Sequence, residues 1–209
     1  MTLPGRTFIA RHGETVFNAA RRMQGDAVDT PLTQRGFAQA QAMGSDLAGF
    51  LGTRQALTLW SSPSGRALQT LSIIAEYIDH DWHQTQRDPR LLEMNVGRWE
   101  GRSYDEIMAE QGTILDPLHT VFSVRPPGGE WYDDIAARLR LWIDEAAKQN
   151  GDRLIIMHGI SSRVLRGILL GLPDDPRFNA PIAPSLAQGT LVMIANGEER
   201  VICHPATRE

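Results

Sequence analysis

The sequence predicts an α/β fold: a three-layer sandwich with a mostly parallel central sheet and helices on both faces. Three observations lead there. Short apolar, strand-like segments alternate with amphipathic, helix-like ones along the chain. Three of the strand-like segments stop abruptly at polar turns, as strands do where a parallel sheet opens onto a crevice. The 209 residues contain no repeat, low-complexity tract or linker, so residues 1–209 are expected to form a single domain.

The elements follow in order. Thr7-Phe8-Ile9-Ala10 reads as a strand and runs into Arg11-His12-Gly13. Thr33 is a candidate N-cap for a helix over 34–50, with Phe37, Ala40, Met43, Leu47 and Phe50 on one face. Leu57 to Trp60 reads as a second buried strand, ending in Ser61-Ser62-Pro63-Ser64-Gly65-Arg66, and a helix then carries Leu68, Leu71, Ile74, Ala75 and Ile78. Residues 90–101 read as a short strand and loop, and Ser103 to Glu106 as a capped helix start reaching about residue 111. Residues 112–129 hold prolines and glycines without periodicity and are expected as an irregular insertion at the rim of a site. A helix over 133–149 turns Ile135, Leu139, Trp142, Ile143 and Ala146 inward. A third strand over 153–157 ends in His158-Gly159, and Ser161 or Ser162 is expected to cap the next helix, to about Leu170. Residues 191–195 and 200–204 read as a hairpin across Asn196-Gly197, a strong turn dipeptide.

Composition narrows the function classes. The chain is 42% hydrophobic and 22% charged, enough for a core and against disorder. Its formal net charge of -4 gives no electrostatic reason to expect nucleic acid as partner, so an anionic ligand must be held by a local cationic cluster. The lone Cys203 permits no internal disulfide and no cysteine-rich metal site. No apolar run approaches the roughly 20 residues needed to cross a bilayer, and the N-terminal segment lacks the apolar core of a secretory signal. A cytoplasmic protein with no membrane partner, no metal and no cofactor is expected.

Chemistry gathers at the strand ends. Arg11 and His12 follow the first strand, Arg66 lies just beyond the second and His158 follows the third. In a parallel sheet these ends share one edge. Arginine's planar fork suits phosphate oxygens, and histidine offers a nucleophilic ring nitrogen that titrates near neutrality. Arg66 near a helix N-terminus opposes the macrodipole, which favours a functional over a surface reading. His80, His83, His119 and His204 carry no such context and read as structural or solvated residues.

Arg11-His12-Gly13-Glu14-Thr15 with Asn18 resembles the signature of the histidine phosphatase superfamily, the phosphoglycerate mutase-like group. The likeness continues through Gln24-Gly25, Asp29 to Thr33, Ser61-Ser62-Pro63 with Arg66, Leu92-Glu93 with Gly97 and Trp99-Glu100-Gly101, and His158-Gly159. These matches come in family order over most of the chain. The resemblance implies the family's sandwich fold and a metal-independent phosphoric monoester hydrolase of histidine acid phosphatase type. It makes His12 the nucleophile and Glu93 the proton donor. Arg11, Arg66 and His158 would hold the phosphoryl oxygens; Asn18, Thr15, Gln24, Gly25 and the Gly159 N–H would contact the phosphate or the substrate around it. Glu14 and Glu100 compete with Glu93 for the acid role.

The superfamily contains hydrolases and mutases. Glu93 is followed by Met94-Asn95-Val96-Gly97, and no adjacent arginine pair occurs over 100–130, unlike the mutase pattern. Hydrolysis of a small phosphorylated metabolite is therefore the expected reaction. Mutase-type phosphotransfer and non-catalytic phosphate binding are the alternatives. Oligomeric state stays open, a homodimer included.

Overall fold

A computed structural model describes residues 3–27, 29–52, 56–117 and 120–204. Six strands form one mixed sheet in the order β3-β2-β4-β1-β5-β6: β1 Thr7–Arg11, β2 Leu57–Ser61, β3 Gln86–Arg87, β4 Asp152–Met157, β5 Leu191–Ala195 and β6 Glu198–Cys203. β3, β2, β4 and β1 run parallel, and β5 and β6 add antiparallel to β1. Register aligns the chemistry: Arg11 pairs with Met157 and Ser61 with Ile156. The next residues, His12, Ser62 and His158, therefore leave the sheet at one edge.

The period-2 alternation of strand side chains separates two cores. Phe8, Ala10, Leu59, Leu154 and Ile156 face α2 (Gln34–Leu51) and α3 (Gly65–Tyr77). Ile9, Trp60, Ile155 and Met157 face α5 (Tyr132–Ala146) and α6 (Gly159–Leu169). Among the described residues, two short helices complete the set, α1 (Val16–Ala19) and α4 (Tyr104–Gln111).

α5 forms because Ile135, Leu139, Trp142, Ile143 and Ala146 recur at helical spacing and are all buried. At its start, Asp134 accepts the Trp131 N–H at 2.8 Å. Trp142 meets Trp60 edge to face at 5.3 Å and 88°, joining helix to sheet. Thr33 caps α2 as expected, accepting the Gly36 N–H at 3.1 Å. Gly36 is required there: a Cβ on it would stand 2.1 Å from the Glu14 carbonyl oxygen, and one on Gly13 2.3 Å from that of Gly36. The loop after β1 and the start of α2 thus touch backbone to backbone. The β5–β6 hairpin turns at Asn196 (φ 53°) and Gly197 (φ 78°), both in the left-handed region that a two-residue turn favours.

Four local expectations are corrected. Residues 90–101 form no strand; Pro89–Leu91 and Gly97–Trp99 are single tight turns, the second opened by Gly97 at φ 51°. The helix expected to 149 ends at Ala146. α1 was not anticipated, being only four residues long. His158, and neither Ser161 nor Ser162, occupies the N-cap of α6.

Residues 112–129 contain a narrow loop. Leu115 bridges Phe122, and Asp116 N–H donates to Val121 O at 2.7 Å. Its feet, Ile114, Val121 and Phe122, are buried in the α5–α6 core, with Phe122 edge-on to Trp99 at 5.5 Å. His119 lies outside the described residues. Among the described residues, no helix is long and apolar enough to cross a membrane.

Candidate active site

His12 leaves β1 with its N–H bonded to Met157 O at 3.0 Å. Its side chain is buried, and Nδ1 lies 2.7 Å from Gly13 O. A carbonyl only accepts, so Nδ1 carries the proton and Nε2 keeps a lone pair. Burial, then the charges of Arg11 and Arg66, holds the His12 pKa well below the ordinary histidine value, against the opposing Gly13 bond. The ring is neutral at pH 7.

His158 stands edge-on to His12 with ring centroids 5.2 Å apart. Arg66 Nε donates to its Nδ1 at 3.3 Å, so the His158 proton sits on Nε2, 2.8 Å from Ser62 Oγ. Burial, then Arg66, lowers the pKa of this ring as well. Arg66 is fully buried at the N-terminus of α3. Its Nη1 donates to Ala27 O at 2.5 Å and Thr30 Oγ1 at 3.1 Å, and Nη2 to Gly25 O at 2.6 Å. Burial pushes its pKa down to about 10, against the pull of Glu93 and Glu100.

Glu93 is held at the N-terminus of α6. Its Oε1 accepts the N–H groups of Met94 and Ser161, each at 2.9 Å, and Oε2 that of Ile160 at 3.0 Å. The carboxylate therefore caps a helix whose N-cap residue supplies no side-chain bond. Beside it lies Arg11, whose buried Nε has no partner. Burial lowers the Arg11 pKa, and Glu93 and Tyr104 raise it. A Cβ on Gly159 would stand 3.4 Å from Arg11 Cζ and 3.5 Å from Glu93 Oε2, so the bare backbone of Gly159 keeps the space between cation and carboxylate open.

Arg11, His12, Glu93 and Gly159 face a cavity of about 170 Å³. Of the residues expected from sequence, Arg11, His12, Asn18, Gln24, Glu93 and Gly159 line it. The others are close but do not line it. Thr15 is buried; its hydroxyl caps α1 by accepting the Asn18 N–H at 3.2 Å and lies 2.7 Å from Gln24 Oε1. Gly25 gives its N–H to Glu100 Oε2 at 2.9 Å and its carbonyl to Arg66. Arg66 and His158 lie behind His12 with their donors on protein acceptors, which departs from the expectation of an open grip. The competing carboxylates are placed elsewhere. Glu14 Oε1 accepts the Thr33 hydroxyl at 2.9 Å, and Oε2 lies 3.3 Å from Arg35 Nη1. Glu100 supports Gly25.

Sequence reasoning missed Tyr104 and Arg163 in the cavity wall. Arg163 had a readable signal, since it lies four residues after Gly159 and shares its helix face. It is buried, and its Nε donates to Ala183 O at 2.8 Å. Tyr104 carried only a helix-start signal.

The model of the histidine phosphatase superfamily (branch 1) matches residues 7–204. The chain belongs to this superfamily. The member described here is 36% identical over 173 residues to a protein of Erwinia tasmaniensis named probable phosphoglycerate mutase GpmB, covering 81% of this chain and 77% of the relative. A Yersinia pestis protein of the same name is 33% identical over 172 residues, with 80% and 76% covered. Among solved structures, this superfamily member is similar to mycobacterial hydrolase 1 (TM-score 0.76, 27% identity, 98% of this chain and 100% of the other). It is also similar to a mycobacterial glucosyl-3-phosphoglycerate phosphatase (TM-score 0.74, 28% identity, 97% and 100%), whose structure was solved with VO3.

Proposed function

We propose that the protein is a metal-independent phosphomonoester hydrolase that works through a phosphohistidine at His12. The observation that carries the reading is the His12 tautomer. With Nδ1–H on Gly13 O, Nε2 is a lone-pair nitrogen in the wall of a cavity shared with Arg11 and Glu93.

In the first step the Nε2 lone pair attacks phosphorus, the bond from phosphorus to the ester oxygen breaks, and Glu93 gives its proton to the departing oxygen. In the second, water attacks phosphorus while Glu93 takes a proton from it, and the P–N electron pair returns to His12. Glu93 is bound as an acceptor of N–H bonds. The proton it passes on is therefore supplied by the incoming phosphate monoanion. General acid catalysis contributes about 10²–10⁴-fold, whereas accelerations of phosphate-monoester hydrolysis reach about 10²¹. Most of the barrier reduction must come from charge and alignment around the phosphoryl oxygens.

Arg11 is the cation best disposed for that, with an unpartnered buried Nε. Arg66 joins it by exchanging the Gly25 and Ala27 carbonyls for phosphoryl oxygens. Replacing neutral acceptors by an anion strengthens those bonds and favours the exchange. His158 orients the Arg66 fork through Nε. Asn18, Gln24 and the Gly159 N–H complete the surround. The small cavity supports a small substrate, since pockets for drug-sized ligands run to about 300–1,000 Å³.

The test is hydrolysis of p-nitrophenyl phosphate in EDTA, with mass detection of an acid-labile phosphate on the peptide containing His12. Turnover and label are both lost in His12→Ala; turnover that survives in that variant rejects the reading. Mutase-type transfer is favoured by the names of the Erwinia and Yersinia relatives. It requires exchange of phosphoglycerate isomers dependent on a bisphosphorylated primer.

A further inference from the structure

The loop that carries Glu93 is gripped from behind by an ion pair outside the His12 cavity. Arg138 on α5 donates Nε to Glu130 Oε1 at 2.9 Å and Nη2 to Glu130 Oε2 at 3.1 Å. Its remaining bonds go to main-chain oxygens of that loop: Nη1 to Arg90 O at 2.5 Å, and Nη2 to Glu93 O at 3.2 Å. Glu130 clasps the other side. Its Oε2 accepts the Asn95 N–H, and its own N–H donates to Asn95 O, both at 2.9 Å. The Asn95 side chain then reaches Asp26 Oδ2 at 2.8 Å, tying the Glu93 loop to the loop whose carbonyls hold Arg66.

Isolated ion pairs near the surface add little stability. This one differs in where its spare bonds end, on the main chain of residue 93 itself and on both sides of it. The Glu93 carboxylate is meanwhile fixed by α6. The side chain is thus held at its tip by one helix and at its root by another. The backbones beside it approach closely: a Cβ on Gly129 would stand 2.4 Å from Asn95 O, and one on Gly97 2.4 Å from Pro127 O.

We propose that Arg138 and Glu130 form the positioning pair for the proton donor, setting the Glu93 main chain so that its carboxylate meets the leaving oxygen. This rests on the reading of Glu93 as that donor. Neither residue of the pair lines the His12 cavity. Its loss displaces the acid while leaving His12 and Arg11 in place.

The readout is dependence on the leaving group. p-Nitrophenolate departs without a proton, whereas an alkoxide needs one. Arg138→Gln and Glu130→Gln are assayed beside Glu93→Gln on aryl and alkyl phosphates, with thermal melts to confirm folding. Misplacement by about 1 Å costs up to about 100-fold, so alkyl phosphates should lose about 10- to 100-fold and p-nitrophenyl phosphate less than about threefold. Arg138→Lys should recover part of the loss. The Glu93→Gln/Arg138→Gln double variant should be no slower on alkyl phosphates than Glu93→Gln alone, because both act through one group.

An equal loss across leaving groups in folded Arg138→Gln, beside a graded loss in Glu93→Gln, overturns the positioning role alone. A flat profile for Glu93→Gln itself removes the proton-donor reading and this inference with it. If Arg138→Gln does not fold, Glu130→Gln keeps the side chain's shape while removing its charge, and decides by the same two profiles.

Discussion

Arg66 Nε donates to His158 Nδ1 across 3.3 Å, with both side chains fully buried. A guanidinium has donors only, so this contact fixes the imidazole as the Nε2–H tautomer and sends that proton to Ser62. Lysine cannot reproduce it, having neither the planar fork nor an Nε–H along the stem. Arg66→Lys should therefore lower kcat by about 10²–10³-fold, the usual cost of removing one preorganised donor at a developing charge. It should also lower the melting temperature, because the Gly25 and Ala27 carbonyls lose their donors. Steady-state kinetics with a thermal melt checks both.

The pH dependence of stability follows from the two neutral rings. His12 and His158 both have folded-state pKa values held well below the ordinary 6.5, by burial first and neighbouring arginines second. Below that value the unfolded chain takes up protons that the folded chain refuses, so stability falls as pH drops from about 6.5. Each ring adds about 1 kcal/mol per pH unit to the slope. Denaturant unfolding between pH 7 and 5 should show a slope in His158→Gln shallower by about that amount. An unchanged slope would mean that His158 is charged in the folded state.

The same shift governs the rate. In the proposed mechanism His12 must be neutral to attack, and its depressed pKa keeps it so into the acid range. The acidic limb of kcat/KM should therefore lie below the ordinary histidine range, and a limb near 6.5 assigned to His12 would contradict the burial argument.

Gly159→Ala separates space from stability. The added methyl stands 3.4–3.5 Å from Arg11 and Glu93, ordinary contact, and Gly159 has no positive φ to strain. Unfolding free energy should change by less than about 1 kcal/mol. Vanadate inhibition should weaken at least tenfold, because the methyl fills the gap where the phosphoryl oxygens would lie; undiminished inhibition places the anion elsewhere.

Trp142→Ala tests the packing under the site. Trp142 is fully buried against Trp60, and large-to-small changes of this kind cost about 3–5 kcal/mol. Urea unfolding measures it directly.

Much of this was legible in the sequence. Arg11, His12 and His158 stand where strands stop, and strand ends share an edge whatever the fold's details. What stayed hidden was which groups satisfy one another. The motif marks Gly25 as a candidate ligand contact but does not reveal that its N–H meets Glu100 and its carbonyl Arg66, partners 75 and 41 residues away. The start of α6 was placed at a serine because local capping rules look one turn ahead, whereas the carboxylate that caps it comes from 67 and 68 residues upstream. Residues 90–101 contain apolar and polar residues in alternation, but Pro89 and Gly97 bend that stretch into turns that hang Glu93 over the sheet edge. The motif likewise names Thr15 without revealing that its hydroxyl lies 2.7 Å from Gln24 Oε1 and accepts the Asn18 N–H.

Glu93 also belongs to the architecture, since its two oxygens tether the opening turn of α6. Its oxygens offer about four lone-pair sites, and the Met94, Ser161 and Ile160 N–H groups take three, so a proton on the remaining site, at Oε2, leaves the tether in place. Removing the side chain as Glu93→Ala would free all three N–H groups at once, whereas Glu93→Gln keeps an acceptor oxygen and stays the better likeness of the resting protein.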